Sequence, residues 1–470
     1  MFGVKLVTGA AAAVLLLTCA GPVPVLAETI EGALIRAYQD NPQLNAQRAQ
    51  VRSTDENVPQ ALSGYRPKVA LTVTAGTQYT DATSVVGADA NTGGTARVRN
   101  RAEEAPRSVG ITATQSLYNG QQTANTVRAS ESQVSSAREA LRVLEQTVLL
   151  NAATIYMDFL RDDATVEVNK SNVRVLEQTL KQTRDRFNVG EVTRTDVAQS
   201  EAQLAAGKTQ ELTAESNLTT TRANYRRIIG NEPQALAPAS PVDRFLPRSL
   251  PASVEVSLIE NPNVTAAMYG VDINFLQVKI KEGALLPTLN LQVSAQQANE
   301  QQLTIQKSFT ASAIAQLSVP IYQGGAEYSL IRQSKENLAQ QRLTLDTTRD
   351  QTRAGVVQAW GQLLANKAQV VSAQAQVTAA EVALNGVREE AKAGQRTTLD
   401  VLNAQQALVN ARIALVTAQH DRVVSSYSVL SAVGRLSPQV LGLATATYDP
   451  SVHYQQVRDS WFGVRTPDGR

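Results

Sequence analysis

The 470-residue sequence contains few of the residue types that build metal sites and disulfide scaffolds. It has one cysteine, Cys19, and two histidines, His420 and His453. One cysteine excludes a disulfide framework and a thiolate zinc cluster, and two histidines argue against a histidine metal site or proton relay. The net charge of +2 argues against a chain that binds nucleic acid through its phosphates. We therefore predict no metal, no cofactor and no nucleic-acid partner.

Large rings and long apolar runs are also scarce. Phenylalanine, tryptophan and tyrosine together make up 4% of the chain, which is little for a globular core of this length. Beyond the N-terminus, no apolar stretch reaches the roughly 18 residues that a transmembrane helix needs. Something other than one thick core or a helical membrane domain must organise this chain.

The N-terminal residues predict export. Lys5 precedes an apolar run, and a small-residue cleavage pattern ends at Ala27. Residues 1–27 are therefore predicted to be a secretory signal peptide, whose removal takes Cys19 with it. In an alternative interpretation Cys19 is a lipid-bearing first residue, but Thr18 is bulkier than the residue that lipoprotein processing prefers. The exported chain is expected to be soluble outside the cytoplasm or to form a β-barrel.

The mature sequence repeats itself once. Asn41-Pro42 recurs as Asn261-Pro262, a spacing of 220 residues (261 − 41). Later landmarks recur at a spacing of 204, so an insertion of 16 residues (220 − 204) lies in the first half. These later landmarks are Leu117-Tyr118-Asn119-Gly120 with Ile321-Tyr322-Gln323-Gly324, Gly190 with Gly394, Asp196-Val197 with Asp400-Val401, and Ile229-Gly230 with Val433-Gly434. A constant offset over several landmarks predicts a duplicated structural unit.

We predict two structural repeats, residues 28–230 and 253–434. Five prolines interrupt residues 231–252, which predicts an irregular linker between the repeats. Each repeat is expected to contain a helix of about 35 residues, a β-hairpin, a long helix and a return helix. The hairpins are predicted at 66–118 and 287–322, the long helices at 120–188 and 324–392, and the return helices at 196–230 and 400–434.

Two periodicities separate the strands from the helices. Val69, Leu71 and Val73 alternate with mostly polar residues, as in a strand with one apolar face. In the first long helix apolar residues recur every seven positions, which is the spacing of a coiled-coil seam. The seam consists of Val127, Val134, Leu141, Val148 and Ile155, and at the 204 offset it is kept as Ile331, Leu338 and Leu345 before it becomes diluted.

The predicted fold is mainly α with a small β part. Long antiparallel coiled-coil helices are expected to form an α-barrel, and four strands per chain to contribute to a β-barrel. If the strands enter a membrane, several copies must share one barrel, because four strands cannot close a barrel and open edges cannot face lipid. Alternation alone also fits a half-buried hairpin in a soluble domain. The tail, 435–470, is predicted to pack around the middle of the helical cylinder, and residues 77–107 to form an outward-facing loop.

The ordered set of motifs resembles the TolC family of outer-membrane efflux and secretion channels. It consists of Gly64-Tyr65-Arg66-Pro67, Leu117-Tyr118-Asn119-Gly120, Arg186-Phe187-Asn188-Val189-Gly190, Thr195-Asp196-Val197, Leu286-Pro287 and the stretch 393–404. The resemblance covers essentially the mature chain to about Gly434. It implies a homotrimer with a twelve-stranded β-barrel in outer-membrane lipid and a helical tunnel in the periplasm. It also implies two partners, a periplasmic adaptor (membrane fusion protein) and an inner-membrane pump or ABC exporter.

The resemblance further implies a pore constriction at Asp400 and Asn403. The family has an aspartate at both positions, so the asparagine leaves one ring of carboxylates in a trimer and predicts a weaker preference for cations. Helix capping is the competing interpretation of Asp400 and of its repeat-related counterpart Asp196, with Thr195 and Thr398 nearby.

The same resemblance implies polar links that hold neighbouring turns closed. Arg396 matches the linking arginine and Asp196 its acceptor, with Thr195 adjacent. The tyrosine of the family's network is Ala391 here, so one link is missing. A solvated surface pair, ordinarily worth about 0–1 kcal/mol, is the alternative.

Two further sets of residues receive roles from the resemblance. The adaptor is expected to dock on the exposed turns, which are Val189-Gly190-Glu191 and Ala393-Gly394-Gln395. Both glycines fit equally well as helix C-caps with positive φ. Tyr118 and Tyr322 are candidates for an aromatic belt at the membrane surface, with ordinary packing as the alternative.

The predicted function is a passive exit duct in a tripartite efflux pump or a type I secretion system. It would carry small toxic compounds, polypeptides or both, and its partners would supply the energy. The alternative is an exported soluble coiled-coil interaction protein that resembles the periplasmic adaptor. An enzyme is not predicted, because the sequence shows no nucleophile–base set, phosphate loop or metal-ligand spacing.

Overall fold

The computed structural model describes residues 27–86, 96–302, 305–467 and 469. The predicted signal peptide, including Cys19, lies outside the described residues except for its last residue, Ala27. The centre of the predicted 77–107 loop also lies outside them. Among the residues that are described, no helix is both long and apolar enough to cross a membrane.

The two halves contain the same succession of elements. The first half comprises α1 (Ile30–Asp40), α2 (Pro42–Asp55), α3 (Asn57–Leu62), β1 (Lys68–Ala75), β2 (Gln78–Val86), β3 (Ala96–Glu104), β4 (Arg107–Asn119), α4 (Gln122–Asn188) and α5 (Arg194–Ile229). The second half comprises α6 (Leu250–Glu260), α7 (Pro262–Gly283), β5 (Thr288–Gln302), β6 (Ile305–Ser318), α8 (Ala326–Lys392) and α9 (Thr398–Val433). Two short helices, α10 (Pro438–Leu441) and α11 (Ser451–Val457), follow in the tail.

The long helices of the two halves correspond residue for residue. Helices α4 and α8 each have 67 residues, and α5 and α9 each have 36. All four helices start and end at positions that differ by 204 between the halves. A 67-residue helix is about 100 Å long, so each half is a long antiparallel helical hairpin. The five seam residues of α4 are all buried, whereas in α8 only Ile331 and Leu338 of the corresponding seam are.

The helices that precede the strands are broken, although the sequence pattern predicts one helix of about 35 residues in each half. The break falls at Asn41-Pro42 in the first half and at Asn261-Pro262 in the second. Each asparagine is an N-cap whose side chain accepts a hydrogen bond from the backbone two residues on. Each proline occupies the first helical position, where its missing N–H costs nothing. The landmark that reveals the repeat is therefore also a helix-restart signal.

Four strands form one antiparallel sheet in the order β1-β4-β5-β6. The central pair, β4 with β5, joins the two halves through main-chain hydrogen bonds from Arg107↔Asn299 to Asn119↔Thr288. Strands β2 and β3 form a separate antiparallel hairpin, in which Arg99 contacts Asp81. This hairpin corrects the prediction of a loop over 77–107, because alternating residues such as Tyr79 and Val85 continue the strand pattern there.

The main hydrophobic core lies midway along the helices. It is built from α1, α2, the middle of α4, the end of α5 and the end of α9, together with Leu436, Leu441 and Leu443 of the tail. Every buried aromatic residue among those described belongs to it: Tyr38, Tyr156, Phe159, Tyr225 and Tyr427. The hydroxyl of Tyr156 donates to the carbonyl oxygens of Glu28 and Ala237, at 2.8 and 2.6 Å. The scarce rings are thus concentrated in one belt rather than spread along the cylinder.

The tail packs against this belt and then extends beyond it. His453 in α11 lies 3.0 Å from the fully buried carboxylate of Asp55 in α2. After α11, the backbone carbonyl of Ser460 accepts a hydrogen bond from Arg66, which lies two residues before the first strand. The tail therefore runs from the middle of the helical cylinder to the base of the sheet. It extends further than the prediction for 435–470, which confines it to the middle.

Candidate functional site

The two turns between the long helices and their return helices lie about 100 Å from the sheet. The strands feed directly into the start of α4 and α8, so the opposite ends of these helices are the far tip of the molecule. The tip turns are residues 189–193 and 393–397. They contain the positions that the sequence assigns to adaptor docking.

Each tip turn is formed by a glycine with positive φ. Gly190 has φ +81° and Gly394 has φ +77°. The following residue closes the helix in both turns, because Glu191 N–H donates to the carbonyl of Arg186 and Gln395 N–H to that of Glu390. No atom lies within 4 Å of the place where a Cβ would stand at either glycine. The glycines are thus required by backbone conformation and leave a bare, open backbone at the tip.

The predicted constriction residue Asp400 belongs to a capping box. Thr397 is the N-cap of α9, and its backbone N–H and hydroxyl both donate to Asp400 Oδ2, each at 2.9 Å. Asp196 receives the same two bonds from Thr193 at the start of α5. The N-caps are therefore Thr193 and Thr397 rather than Asp196 and Asp400, which lie three residues further on and complete the capping boxes.

These hydrogen bonds hold the aspartates ionised. The backbone and hydroxyl of Thr397 lower the pKa of Asp400 below its ordinary value of 3.8, and the nearby Arg396 adds to the effect. The hydroxyl and backbone of Thr193 lower the pKa of Asp196 in the same way. Both bonds to each aspartate use Oδ2, so neither of them occupies Oδ1. The capping and constriction roles are therefore compatible.

Arg396 pairs within its own turn in the protomer. Its Nε lies 2.8 Å from Glu390 Oε2, so the structure does not bring it together with Asp196 inside one chain. The first turn has the reverse polarity, with Arg186 on the helix and Glu191 in the turn, 3.0 Å apart. Glu390 is not among the residues predicted from the sequence, although the inverted order of charges in the two repeats is a signal that points to it.

Asn403 lies one helical turn beyond Asp400 on the same face of α9. Its side chain is exposed and contains no ionisable group. One turn further, Gln406 accepts a hydrogen bond from Gln203 of α5 at 3.1 Å. The face that starts at Asp400 thus continues as neutral amides, so the fixed negative charge of this face is confined to its end.

A buried amide link joins the two helical hairpins close to the tip. Gln405 of α9 donates to Asn172 Oδ1 of α4 at 3.2 Å and accepts from Arg388 of α8 at 2.9 Å. Gln405 and Asn172 are both buried. This link is not predicted from the sequence, although Gln405 stands at an inward position between Leu402 and Leu408.

The two belt candidates lie near the inner ends of the strands. Tyr118 is in β4 and Tyr322 follows β6, and both side chains are exposed. Neither ring packs into the core of the protomer, so both are available to an aromatic belt.

Comparison with known proteins follows the same division into halves. The family model described as outer membrane efflux protein matches residues 33–231 and 254–435. The chain is 42% identical to the outer membrane efflux protein BepC of Brucella suis biovar 1 (strain 1330), covering 95% of this chain and 94% of BepC. It is 27% identical to the outer membrane protein TolC of Escherichia coli (strain K12), over 65% of each chain.

The fold is similar to that of solved outer-membrane channels. The CmeC outer membrane channel of Campylobacter jejuni superposes with a TM-score of 0.74 at 17% identity, covering 92% of this chain and 89% of CmeC. The shared fold combines a helical barrel with a β-barrel, as the sequence predicts. The match to both halves and the identity to BepC over almost the whole chain show that this protein belongs to the outer membrane efflux protein family.

Proposed function

We propose that three copies of this chain form one exit duct, with the sheet in the outer membrane and the helices enclosing a tunnel in the periplasm. The observation that carries this proposal is the open sheet. Within the described residues, β1 and β6 each pair on one side only. Their apolar alternate residues, such as Val69, Leu71 and Val73, are exposed. Unpaired strand edges cannot face lipid, so neighbouring copies must complete the barrel.

The duct is proposed to be passive and to serve efflux. Members of this family are transport channels, and BepC is named an efflux protein. The long cylinder contributes a polar path, while an inner-membrane pump supplies the energy and a periplasmic adaptor joins the pump to the tip. Small toxic compounds are the proposed cargo.

A strain that lacks this protein is expected to accumulate a fluorescent dye that is normally exported. Reintroducing the intact gene is expected to restore export of the dye.

The adaptor is proposed to dock on the tip turns. Their bare glycine backbones are exposed, and each turn presents one internal Arg–Glu pair of opposite polarity, Arg186–Glu191 and Glu390–Arg396. A docking surface of this kind offers both main-chain hydrogen-bonding groups and charges to a partner.

Conductance through the purified protein tests the duct and its constriction together. The protein extracted from outer membranes should be a trimer in detergent and should form pores in a planar bilayer. A monomer that stays soluble without detergent would refute the proposal.

We expect Asp400→Asn to lower the preference for cations and Asn403→Asp to raise it, because the first removes and the second adds a ring of three carboxylates. Unchanged ion selectivity in both variants would remove these residues from the constriction.

A further inference from the structure

The last part of the tail brings exposed aromatic side chains to the base of the sheet. Arg66 Nη1 donates to the carbonyl oxygen of Ser460 at 2.6 Å, and its guanidinium lies 4.6 Å from the centre of the Trp461 ring. Arg66 stands two residues before β1 begins at Lys68. Trp461 is therefore fixed at the level where the chain changes from helix to strand.

Most of this apolar surface is uncovered in the protomer. Trp461 is 66% exposed, Phe462 92% and Val464 100%. Among the residues that the structure describes, all buried rings lie in the central belt, and the tail places two exposed rings next to each other on the outside. Clustered exposed apolar residues of this kind mark a surface that contacts a protein or a membrane.

The position of the cluster favours lipid as the occupant. The exposed apolar face of β1 starts at Val69, three residues after Arg66, so the segment lies where the sheet enters the membrane. Tryptophan is enriched at this depth, because its ring is apolar while its N–H remains hydrated. The guanidinium of Arg66 contacts the Trp461 ring. Lys68 follows Arg66 by two residues and Arg465 follows Phe462 by three, so both chain segments carry positive charge that complements the phosphates of phospholipid headgroups.

We propose that residues 460–465 form an anchor in the periplasmic leaflet of the outer membrane. Trp461 and Phe462 insert among the headgroups and upper acyl chains, and Arg66 and Arg465 contact lipid phosphates. Since His453 ties the preceding helix α11 to Asp55 of α2, the anchor connects the central belt of the cylinder to the membrane surface. The inference rests on the proposed function, in which the strands cross this membrane.

The chain contains two tryptophans, which makes a direct test practicable. In a Trp360→Phe variant, Trp461 is the remaining tryptophan. This variant is reconstituted as the trimer into vesicles of phosphatidylethanolamine and phosphatidylglycerol. Lipids brominated high on the acyl chain should reduce its emission about twofold, because the ring lies at the interface. Lipids brominated at the end of the chain should quench less, and iodide in the water should quench less than it does in detergent.

The matched control is Trp461→Phe, which retains only Trp360. Trp360 packs beside Val356 and Leu363 in the helical part, so brominated lipid should not affect it. If Trp360→Phe fails to form trimers, the difference in emission between the unmodified protein and Trp461→Phe provides the same reading.

Three outcomes separate the possible occupants. Quenching by shallow brominated lipid supports the anchor. Full access to iodide without an effect of brominated lipid would overturn it in favour of a ring in water. Protection from both quenchers would overturn it in favour of burial against another subunit. Conductance of the same vesicle-reconstituted protein is recorded in parallel, so a conducting pore whose Trp461 avoids lipid refutes the anchor and leaves the duct intact.

Discussion

Arg396 has one partner in the protomer and is expected to have another in the closed trimer. Within one chain it pairs with Glu390, and both side chains are about half exposed. An exposed pair of this kind contributes about 0–1 kcal/mol, so exchange for a neighbouring acceptor is energetically accessible. Asp196 offers the free oxygen of a carboxylate whose position is already fixed by Thr193.

We predict that Arg396→Ser raises the open probability of single channels in a planar bilayer. Glu390→Gln is the matched control, because it removes the contact inside the protomer and leaves the arginine available to a neighbour. Channels of this control should stay as closed as the unmodified ones. Equal opening in both variants, or no change in Arg396→Ser, would assign the arginine to its own turn alone.

Gly394 allows the capping and docking roles of the tip to be separated. Its positive φ is strained for most residues by about 1–2 kcal/mol but is tolerated by asparagine, and the space around it is empty. We therefore expect Gly394→Asn to form trimers with nearly unchanged thermal stability, while Gly394→Val is less stable. If the adaptor needs the bare backbone, Gly394→Asn should still weaken adaptor binding, measured by pull-down with the purified trimer. Unimpaired binding would limit the glycine to its capping role.

At the scale of elements, the Gln405 link controls how the two helical hairpins lie together. Gln405→Leu removes its hydrogen bonds to Asn172 and Arg388 and leaves both groups without this partner, at a cost of about 1–3 kcal/mol. Because the link joins α9 to α4 near the tip, we predict that this variant opens more often in single-channel recordings.

The control for this prediction is Asn366→Leu. Asn366 is equally buried and donates to the carbonyl of Asp421 at 3.0 Å, but this bond lies within the α8–α9 hairpin. It should lower thermal stability without increasing channel opening. Similar opening in both variants would mean that general destabilisation, rather than the link between hairpins, causes the effect.

The elements themselves were largely predictable from the sequence, because their periodicities are strong and occur twice. The seam from Val127 to Ile155 reflects the buried side of a helix. The alternation from Val69 to Val73 reflects the apolar side of a strand, which is proposed to face lipid. The helix break at Asn41-Pro42 was not predicted. The Asn-Pro pair is a helix-start signal, but the residues on both sides of it have a helical pattern, which favours one continuous helix. The Arg396–Glu390 pair and the Gln405 link were not predictable, since both depend on how helices meet in space rather than on spacing along one helix.

At the scale of the molecule, the low aromatic content follows from the small number of places where a thick hydrophobic core forms. A wall of single helices around a tunnel has no thick interior, and small residues let long helices approach closely along their length. Among the described residues, the buried rings lie where α1, α4, α5, α9 and the tail meet, and there Tyr156 and its neighbours form the central belt. The exposed rings of Trp461 and Phe462 serve a different purpose, at the membrane surface proposed above.

The contact between the two halves at the belt should depend on pH through His420. Its Nε2 lies 3.0 Å from Asp158 of α4, and its Nδ1 lies 2.8 Å from Asp421. Burial opposes the charged imidazole, but the two carboxylates outweigh burial and the repulsion from Arg161, and they raise the pKa of His420 above its ordinary 6.5. The charged contact therefore stabilises the fold fully below pH 6.5 and ceases to do so as the pH rises through the higher folded-state value.

We accordingly predict that the melting temperature of the detergent-solubilised trimer falls between pH 6 and pH 8.5, by roughly 1 °C for each kcal/mol lost per chain, because the entropy of unfolding grows with chain length. His420→Gln keeps a polar side chain without the charge, so its melting temperature should be lower at pH 6 and vary less over this range. His453→Gln is scanned in parallel, so that the contribution of the other histidine to the slope is measured separately. Asp158 remains ionised throughout, because the imidazole and Arg161 outweigh burial and lower its pKa. A slope that persists in His420→Gln would exclude this contact as the pH-dependent link between the halves.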